Sequence, residues 1–193
     1  MDQQKIGNLI RALRTEKHLT QKQLADAMGI SDRAVSKWER GLGCPDVSLL
    51  PNLAVLLGVP IEKMLEGELL PNLPNGGNMK RMEFYCCPTC GNIVTATATA
   101  QIGCCGRALQ PLKAAQADEL HQVEMQEVDG ETYLTFSHPM TKEHYIQFVA
   151  LVGFDRVQVI RLYPEQGGEV RLPRVARAKV YLYCTEHGFF QVK

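Results

Sequence analysis

The chain has 193 residues, with 21 lysines and arginines against 21 aspartates and glutamates. The resulting formal net charge of zero excludes a protein that coats nucleic acid by global charge, so any DNA binding must be local. A hydrophobic share of 45 % and a charged share of 22 % fit one globular domain or two small ones, and they exclude disorder as the main character of the chain. No apolar run reaches the roughly 18–20 residues of a membrane span. Met1-Asp2-Gln3-Gln4-Lys5 lacks a basic stretch followed by an apolar one, so a cytoplasmic protein with no membrane contact is expected.

From Ile6 to about Leu65 the pattern predicts five short helices. Ile6, Leu9, Ile10 and Leu13 form one apolar stripe at helical spacing. Thr20, followed three residues later by Gln23, has the form of a capping box, so a second helix starts near Gln21. Gly29 closes it as a left-handed C-terminal residue and Ser31 caps a third helix running through Arg40. Only Gly29-Ile30-Ser31 separates the two, which makes a helix-turn-helix. A fourth helix is expected from Val47 to Leu57 and a fifth from Ile61 to Leu65. The turn formers between Leu70 and Asn78 mark a linker, beyond which the apolar period changes to two. Strands are expected over Gly91–Thr97, Thr132–Phe136, His144–Val152, Val157–Leu162 and Val175–Tyr183.

Leu19-Thr20-Gln21, Leu24-Ala25, Gly29-Ile30-Ser31, Val35-Ser36-Lys37-Trp38-Glu39-Arg40-Gly41 and Leu49-Leu50-Pro51-Asn52-Leu53-Ala54 together resemble the phage-repressor (XRE) type of helix-turn-helix. The resemblance implies a five-helix, lambda-repressor-like domain whose third helix enters the major groove of DNA. It places Asp32, Arg33 and Lys37 at base edges, Gln21 at the phosphate backbone, and Ser31 and Ser36 as further phosphate contacts. Leu24, Ala25, Ile30, Val35, Leu50, Leu53 and Leu57 belong to the core, with Trp38 packing rather than reading. Residues 1–40 carry eight basic against five acidic side chains, which is the right sign for DNA. A lone small reader binds weakly, so a homodimer is expected. The alternative is a helical interaction module without DNA binding.

Seven cysteines, with Cys86-Cys87 and Cys104-Cys105 adjacent, suit a disulfide framework poorly. Cys87-Pro88-Thr89-Cys90 is a C-x2-C knuckle, and after thirteen intervening residues Cys104-Cys105 supplies two more sulfurs. Four thiolates suit tetrahedral zinc or iron. Adjacent cysteines can share one metal only if the chain bends sharply, which Gly103 and Gly106 permit. The Cys-Cys pair and Cys90-Gly91-Asn92-Ile93-Val94 resemble the rubredoxin/desulforedoxin-like module. That resemblance implies one iron on Cys87, Cys90, Cys104 and Cys105, with Cys86 spare. A structural zinc site on the same sulfurs is the alternative, and Cys44 is an ordinary free thiol.

Four of the five histidines lie in the last half of the chain. His144, Ile146, Phe148 and Ala150 are expected on one strand face, Pro139 extends the backbone at His138, and Cys184 and His187 sit three apart at a strand end. With His121 ahead of Val128-Asp129-Gly130, these segments resemble desulfoferrodoxin, the two-iron class of superoxide reductase, from about Met82 onward. The resemblance implies an immunoglobulin-like β-sandwich holding a second iron on His121, His138, His144, His187 and Cys184. It further implies a sixth position open to superoxide, Glu119 as the carboxylate that closes it in the ferric state, and a small electron-donor protein such as rubredoxin. Leu120 stands where the family carries a lysine, so either turnover is slower or Lys142 takes that part. Thr185 and Phe148 replace the family's asparagine and tryptophan.

The expected organisation is multidomain, α then β: a DNA-binding domain over 1–67, a linker over 68–80, a four-cysteine iron module over 81–113 and the iron-binding sandwich over 114–193. The expected function is superoxide reduction with two irons, fused to sequence-specific DNA binding. The alternative is a redox- or superoxide-sensing transcription regulator with little turnover, and a third reading is a zinc-stabilised dimerisation domain.

Overall fold

The computed structural model describes residues 2–74 and 76–192. Met1, Lys193 and Asn75, the last within the expected linker, lie outside the described residues. The chain divides into two compact units, Met1–Pro71 and Asn72–Lys193.

The first unit is built from α1 (Gln3–Glu16), α2 (Gln21–Met28), α3 (Asp32–Glu39), α4 (Leu50–Leu57) and α5 (Ile61–Glu66). Each start and stop has a local cause. The Thr20 hydroxyl accepts from the Gln23 backbone while the Gln23 side chain accepts from the Thr20 backbone, completing the capping box. Gly29 takes a left-handed φ of 67°, and two residues later Ser31 caps α3 through the Ala34 N–H. The expected fourth helix is a 3-10 turn, Val47–Leu49, leading into α4, because Pro51 fits only the first helical turn. Trp38 packs in the core with Ile6, Ile10, Leu24, Val35, Leu53 and Met64; Ile30 lines its edge. Gly7 lets α1 approach α3 closely, since a Cβ there would stand 2.0 Å from the Trp38 carbonyl oxygen.

Beneath Trp38 lies a buried charge that the sequence pattern left unmarked. Glu39 is 5 % exposed and accepts from Arg14 Nε at 2.5 Å, Arg14 Nη2 at 3.1 Å and Gln21 Nε2 at 2.7 Å. Burial works to raise the Glu39 carboxyl, but the bonds from Arg14 and Gln21 and the charges of Arg14 and Arg11 outweigh it and hold the group below its ordinary value.

The second unit begins with two small hairpins, β1 (Glu83–Cys86) with β2 (Ile93–Ala96) and β3 (Ile102–Cys104) with β4 (Arg107–Leu109). Then come β5 (Ala115–Gln116), β6 (Glu124–Val128), β7 (Glu131–Thr135), β8 (Ile146–Val152), β9 (Val157–Arg161), β10 (Glu169–Pro173), β11 (Lys179–Cys184) and β12 (Gly188–Val192). They form a five-stranded sheet ordered β5-β12-β11-β8-β9 and a three-stranded sheet ordered β10-β7-β6. Leu134, Val170 and Leu172 of the small sheet share one core with Ile146, Val149, Leu182 and Phe190 of the large one. The opposite face of the large sheet carries Phe148, Ala150 and Phe189, which pack against Phe84 of β1.

Two expectations about strands need correction. β11 begins at Lys179 rather than Val175, because residues 175–178 form a turn closed by the Ala178 N–H on the Val175 carbonyl. β8 begins at Ile146, so His144 precedes the strand, and Ile146 does not share a face with Phe148 and Ala150. The cause is a β-bulge: Tyr183 lies opposite Phe148 and Cys184 opposite Ile146, leaving Gln147 as an extra residue. All seven residues of β8 are buried, so no polar alternation betrays the change of face.

Candidate metal centres

The knuckle after β1 is shaped by its backbone: the Gly91 N–H bonds the Cys87 carbonyl at 2.8 Å and the Cys87 N–H the Asn92 carbonyl at 2.9 Å. β3 and β4 bring up the second pair of sulfurs. The bend expected at Cys104-Cys105 is there, but Cys105 itself takes the left-handed turn with φ 51°, followed by Gly106 at 72°. The sulfurs of Cys87, Cys90, Cys104 and Cys105 all lie within 4.8 Å of one another, with Cys90 and Cys104 3.5 Å apart. The Asn92 amide faces the Cys104 sulfur at 3.7 Å.

The electrostatics suit a cation. The Cys90 backbone N–H leads in drawing the Cys87 thiol down to about 6, outweighing burial. Cys90, Cys87 and Cys104 in turn push Cys105 up to about 12, and the Cys90 sulfur also raises Cys104. One sulfur ionises readily and its neighbours resist a second negative charge, a resistance that a metal ion at their centre removes. Cys86 lies outside the cluster, its thiol raised first by burial and its sulfur 3.7 Å from Gln147 Oε1.

The second cluster draws on separated segments. His121 ends a 3-10 turn, Glu119–His121, capped by Asp118. His138 and His144 come from the loop before β8, and Cys184 and His187 flank the β11–β12 turn. Ligand atoms of His121, His138, Cys184 and His187 lie within 4.8 Å of one another; His144 forms an overlapping group with Glu186 and His187. The His144 ring centroid is 4.6 Å from that of His138 and 4.8 Å from that of His187.

Nitrogen by nitrogen, the rings are oriented from outside. The Asp118 carboxylate takes His121 Nδ1 at 2.5 Å, and that bond first of all holds the Asp118 carboxyl below the usual range. The Pro139 carbonyl faces His138 Nδ1 at 2.6 Å; a carbonyl only accepts, so Nδ1 carries the proton. Glu186 stands 3.3 Å from His144 Nδ1. The Nε2 atoms of these three histidines are buried and have no hydrogen-bond partner. His187 presents Nδ1 instead, 3.6 Å from Cys184 Sγ, and that sulfur also receives the backbone N–H groups of Glu186 and His187 at 3.4 Å each. Burial, with the neighbouring rings, pushes His138 down and keeps it neutral as a ligand must be. Three orphaned lone pairs, one further ring nitrogen and one thiol therefore fit a metal ion.

Glu119 belongs to neither group and is exposed, as are Leu120, at 40 %, and Lys142. Asp118 and Glu186, which orient the rings, were missed by sequence reasoning. The signal for Asp118 was its place three residues before His121, the spacing of a turn cap.

In the first unit Asp32, Arg33 and Lys37 are exposed along α3, and Ser36 is half-buried. The Ser31 hydroxyl is engaged at the cap, and the Gln21 amide donates to Glu39.

A helix-turn-helix family model matches residues 10–64. An ImmF control region 10 kDa protein of Bacillus phage phi105 is 37 % identical over 68 residues, covering 34 % of this chain and 76 % of its own length. A desulfoferrodoxin of Desulfarculus baarsii is 28 % identical over 123 residues, 59 % of this chain and 98 % of that protein. The chain belongs to the helix-turn-helix family and carries a desulfoferrodoxin homologue. The HTH-type transcriptional activator BcrR of Enterococcus faecalis is 39 % identical over 79 residues, 39 % of each chain, so the present chain spans about two fifths of that relative's length. The superoxide reductase from Treponema pallidum shares the fold of the desulfoferrodoxin-like part, with a TM-score of 0.51 at 22 % identity, covering 58 % of this chain and 98 % of that one. No helix among the described residues is long and apolar enough to cross a membrane.

Proposed function

We propose that the chain is a superoxide reductase joined to a sequence-specific DNA-binding domain. The observation that carries this reading is the trio of buried, partnerless Nε2 atoms on His121, His138 and His144 beside Cys184. On this reading His121, His138, His144, His187 and Cys184 hold one iron, and Cys87, Cys90, Cys104 and Cys105 a second. Bound iron supplies the single electron that, with two protons, turns superoxide into hydrogen peroxide.

The chain's own residues prepare the place. Asp118 and the Pro139 carbonyl keep the protons on the outer ring nitrogens and the lone pairs turned inward. Two backbone N–H groups point at the Cys184 sulfur and would orient it as a ligand of the iron. Glu119 is assigned to closing the oxidised site and a rubredoxin-like protein to returning the electron. On the same reading the chain divides into 1–67, 68–80, 81–113 and 114–193, with the last part an immunoglobulin-like sandwich, in a cytoplasmic homodimer. In the DNA domain α3 lies in the major groove with Asp32, Arg33 and Lys37 at base edges, while Ser31, Ser36 and the Gln21 end of α2 meet phosphates.

The test is superoxide consumption with matching peroxide release by iron-loaded, reduced protein, compared with Cys184→Ala. The variant is expected to fall to the uncatalysed background; an equal rate in both overturns the enzyme reading. The exposed Leu120, in the place of a cationic side chain, favours a second reading, a redox-sensing regulator. Sensing requires that DNA affinity differ between oxidised and reduced protein. Equal affinities remove it. A colourless zinc protein that refuses iron removes both and leaves a structural metal.

A further inference from the structure

One buried amide ties the cysteine knuckle to β8, the strand whose Ile146 pairs with Cys184. Within the knuckle the backbone of Cys87, Gly91 and Asn92 is tied to itself, but the Gly91 carbonyl is taken by side chains from the large sheet: Gln147 Nε2 at 2.9 Å and Arg161 Nη1 at 2.6 Å. The other end of the same amide, Gln147 Oε1, faces the Cys86 sulfur at 3.7 Å, and the Gln147 backbone carbonyl accepts from Leu162 N–H at 2.8 Å. Gln147 is only 5 % exposed, so its amide cannot exchange these partners for bulk water without opening the structure, while Arg161 reaches the same carbonyl from the exposed side. Gln147 is also the extra residue of the β8 bulge, between Phe148, which pairs with Tyr183, and Ile146, which pairs with Cys184.

We propose that Gln147, assisted by Arg161, is a positioning latch that ties the cysteine knuckle to the strand pair carrying Cys184, so that filling one centre changes the other's grip on its metal. A metal on Cys90 fixes the peptide of the next residue, Gly91. The Gly91 carbonyl fixes Gln147, and Gln147 sets where the partner of Cys184 stands. The coupling is reciprocal, as any coupling of two binding equilibria must be. It rests on both clusters holding metal ions, as proposed above, but requires neither superoxide nor a particular metal.

The test uses the full chain stripped of metal and titrated with cobalt(II), whose bands distinguish a four-sulfur from an imidazole-rich site. The cobalt affinity of the Cys184 centre is measured with the four-cysteine centre intact and with it disabled by Cys90→Ser, first in the native background and then with Gln147→Met. Two coupled binding sites typically change each other's affinity by about 5- to 150-fold. Cys90→Ser is therefore expected to weaken the Cys184 centre about 10-fold in the native background and less than about twofold beside Gln147→Met. The same factor in both backgrounds, including no effect in either, overturns the latch. If Gln147→Met does not fold, Arg161→Ala replaces it on the exposed side of the same carbonyl. There an intermediate factor supports the latch and an unchanged one overturns it. A protein with coupled cobalt sites and no superoxide turnover keeps the latch and loses the enzyme reading, and the converse result does the reverse.

Discussion

Asp118 shows how much of a candidate metal site lies outside the residues that would bind the ion. Its carboxylate receives the His121 ring nitrogen and two backbone N–H groups, so the ring is held before any ion arrives. Asp118→Ala is expected to weaken metal binding at the His121 centre by about 10- to 100-fold, read by competition with a chromophoric chelator, while leaving the four-cysteine site unaltered. Glu39 makes the matching case for stability. Because its folded pKa is lowered, its pairing with Arg14 stabilises fully above about 4.5, the ordinary value, and the contribution is lost as pH falls through the folded value. Arg14→Met leaves a buried, poorly compensated carboxylate and is expected to cost about 3 kcal/mol at neutral pH in denaturant unfolding. The deficit should shrink on acidification, as Glu39, which burial alone pushes up once Arg14 is gone, takes up a proton. Cysteines and histidines were legible because they are scarce and their spacing has few other uses. Asp118, Glu186, Glu39 and Gln147 are common types whose partners lie far away in sequence or around a turn, so nothing in the string distinguished them.

Among the elements, the helices were read almost to the residue, since Thr20, Gln23, Gly29 and Ser31 act on backbone groups within a few positions of themselves. Five of the twelve β-strands among the described residues were read in kind but not in extent, and β1, β3 to β6, β10 and β12 were not read, because pairing and register are set by partners tens of residues away. The turn at 175–178 carries the same apolar residues a strand would. Gly7 is another element-scale feature hidden from pattern reading, since its reason is a backbone across the groove between α1 and α3. Gly7→Ala should improve the local helix propensity of α1 and still destabilise the domain by roughly 2 kcal/mol, because the added methyl forces the two helices apart. A thermal melt of the variant that matched the parent would show that the helices can re-seat freely.

Across the whole molecule, each compact unit has its own core: Ile10, Leu24 and Leu53 in the first, Leu134, Ile146 and Leu182 in the second. Two unfolding transitions are therefore expected in calorimetry. Only one should respond to metal, since an ion bound solely by the folded state stabilises the unit that holds it. Adding a strong chelator should lower the transition of the second unit and leave that of the first in place; a common downward shift would mean that the units unfold as one. On the DNA side, Arg33→Ala and Lys37→Ala should each weaken operator binding, and a base-reading role predicts relaxed preference at one position rather than uniform loss across sequences.

The bulge makes Gln147 the one residue of β8 that the alternation of the strand does not count. A strand is a two-beat count, and one extra beat reverses which residues fall on which side. Removing Gln147 would make Ile146 and Phe148 neighbours on opposite faces of the large sheet, where both already stand, so the alternation of β8 survives and what is lost is the bond from the Gln147 amide to the Gly91 carbonyl. Deleting that residue should thus leave both faces of β8 filled as they are, whereas one residue inserted between Phe148 and Val152 should turn part of the strand to the wrong face and lower the melting temperature far more.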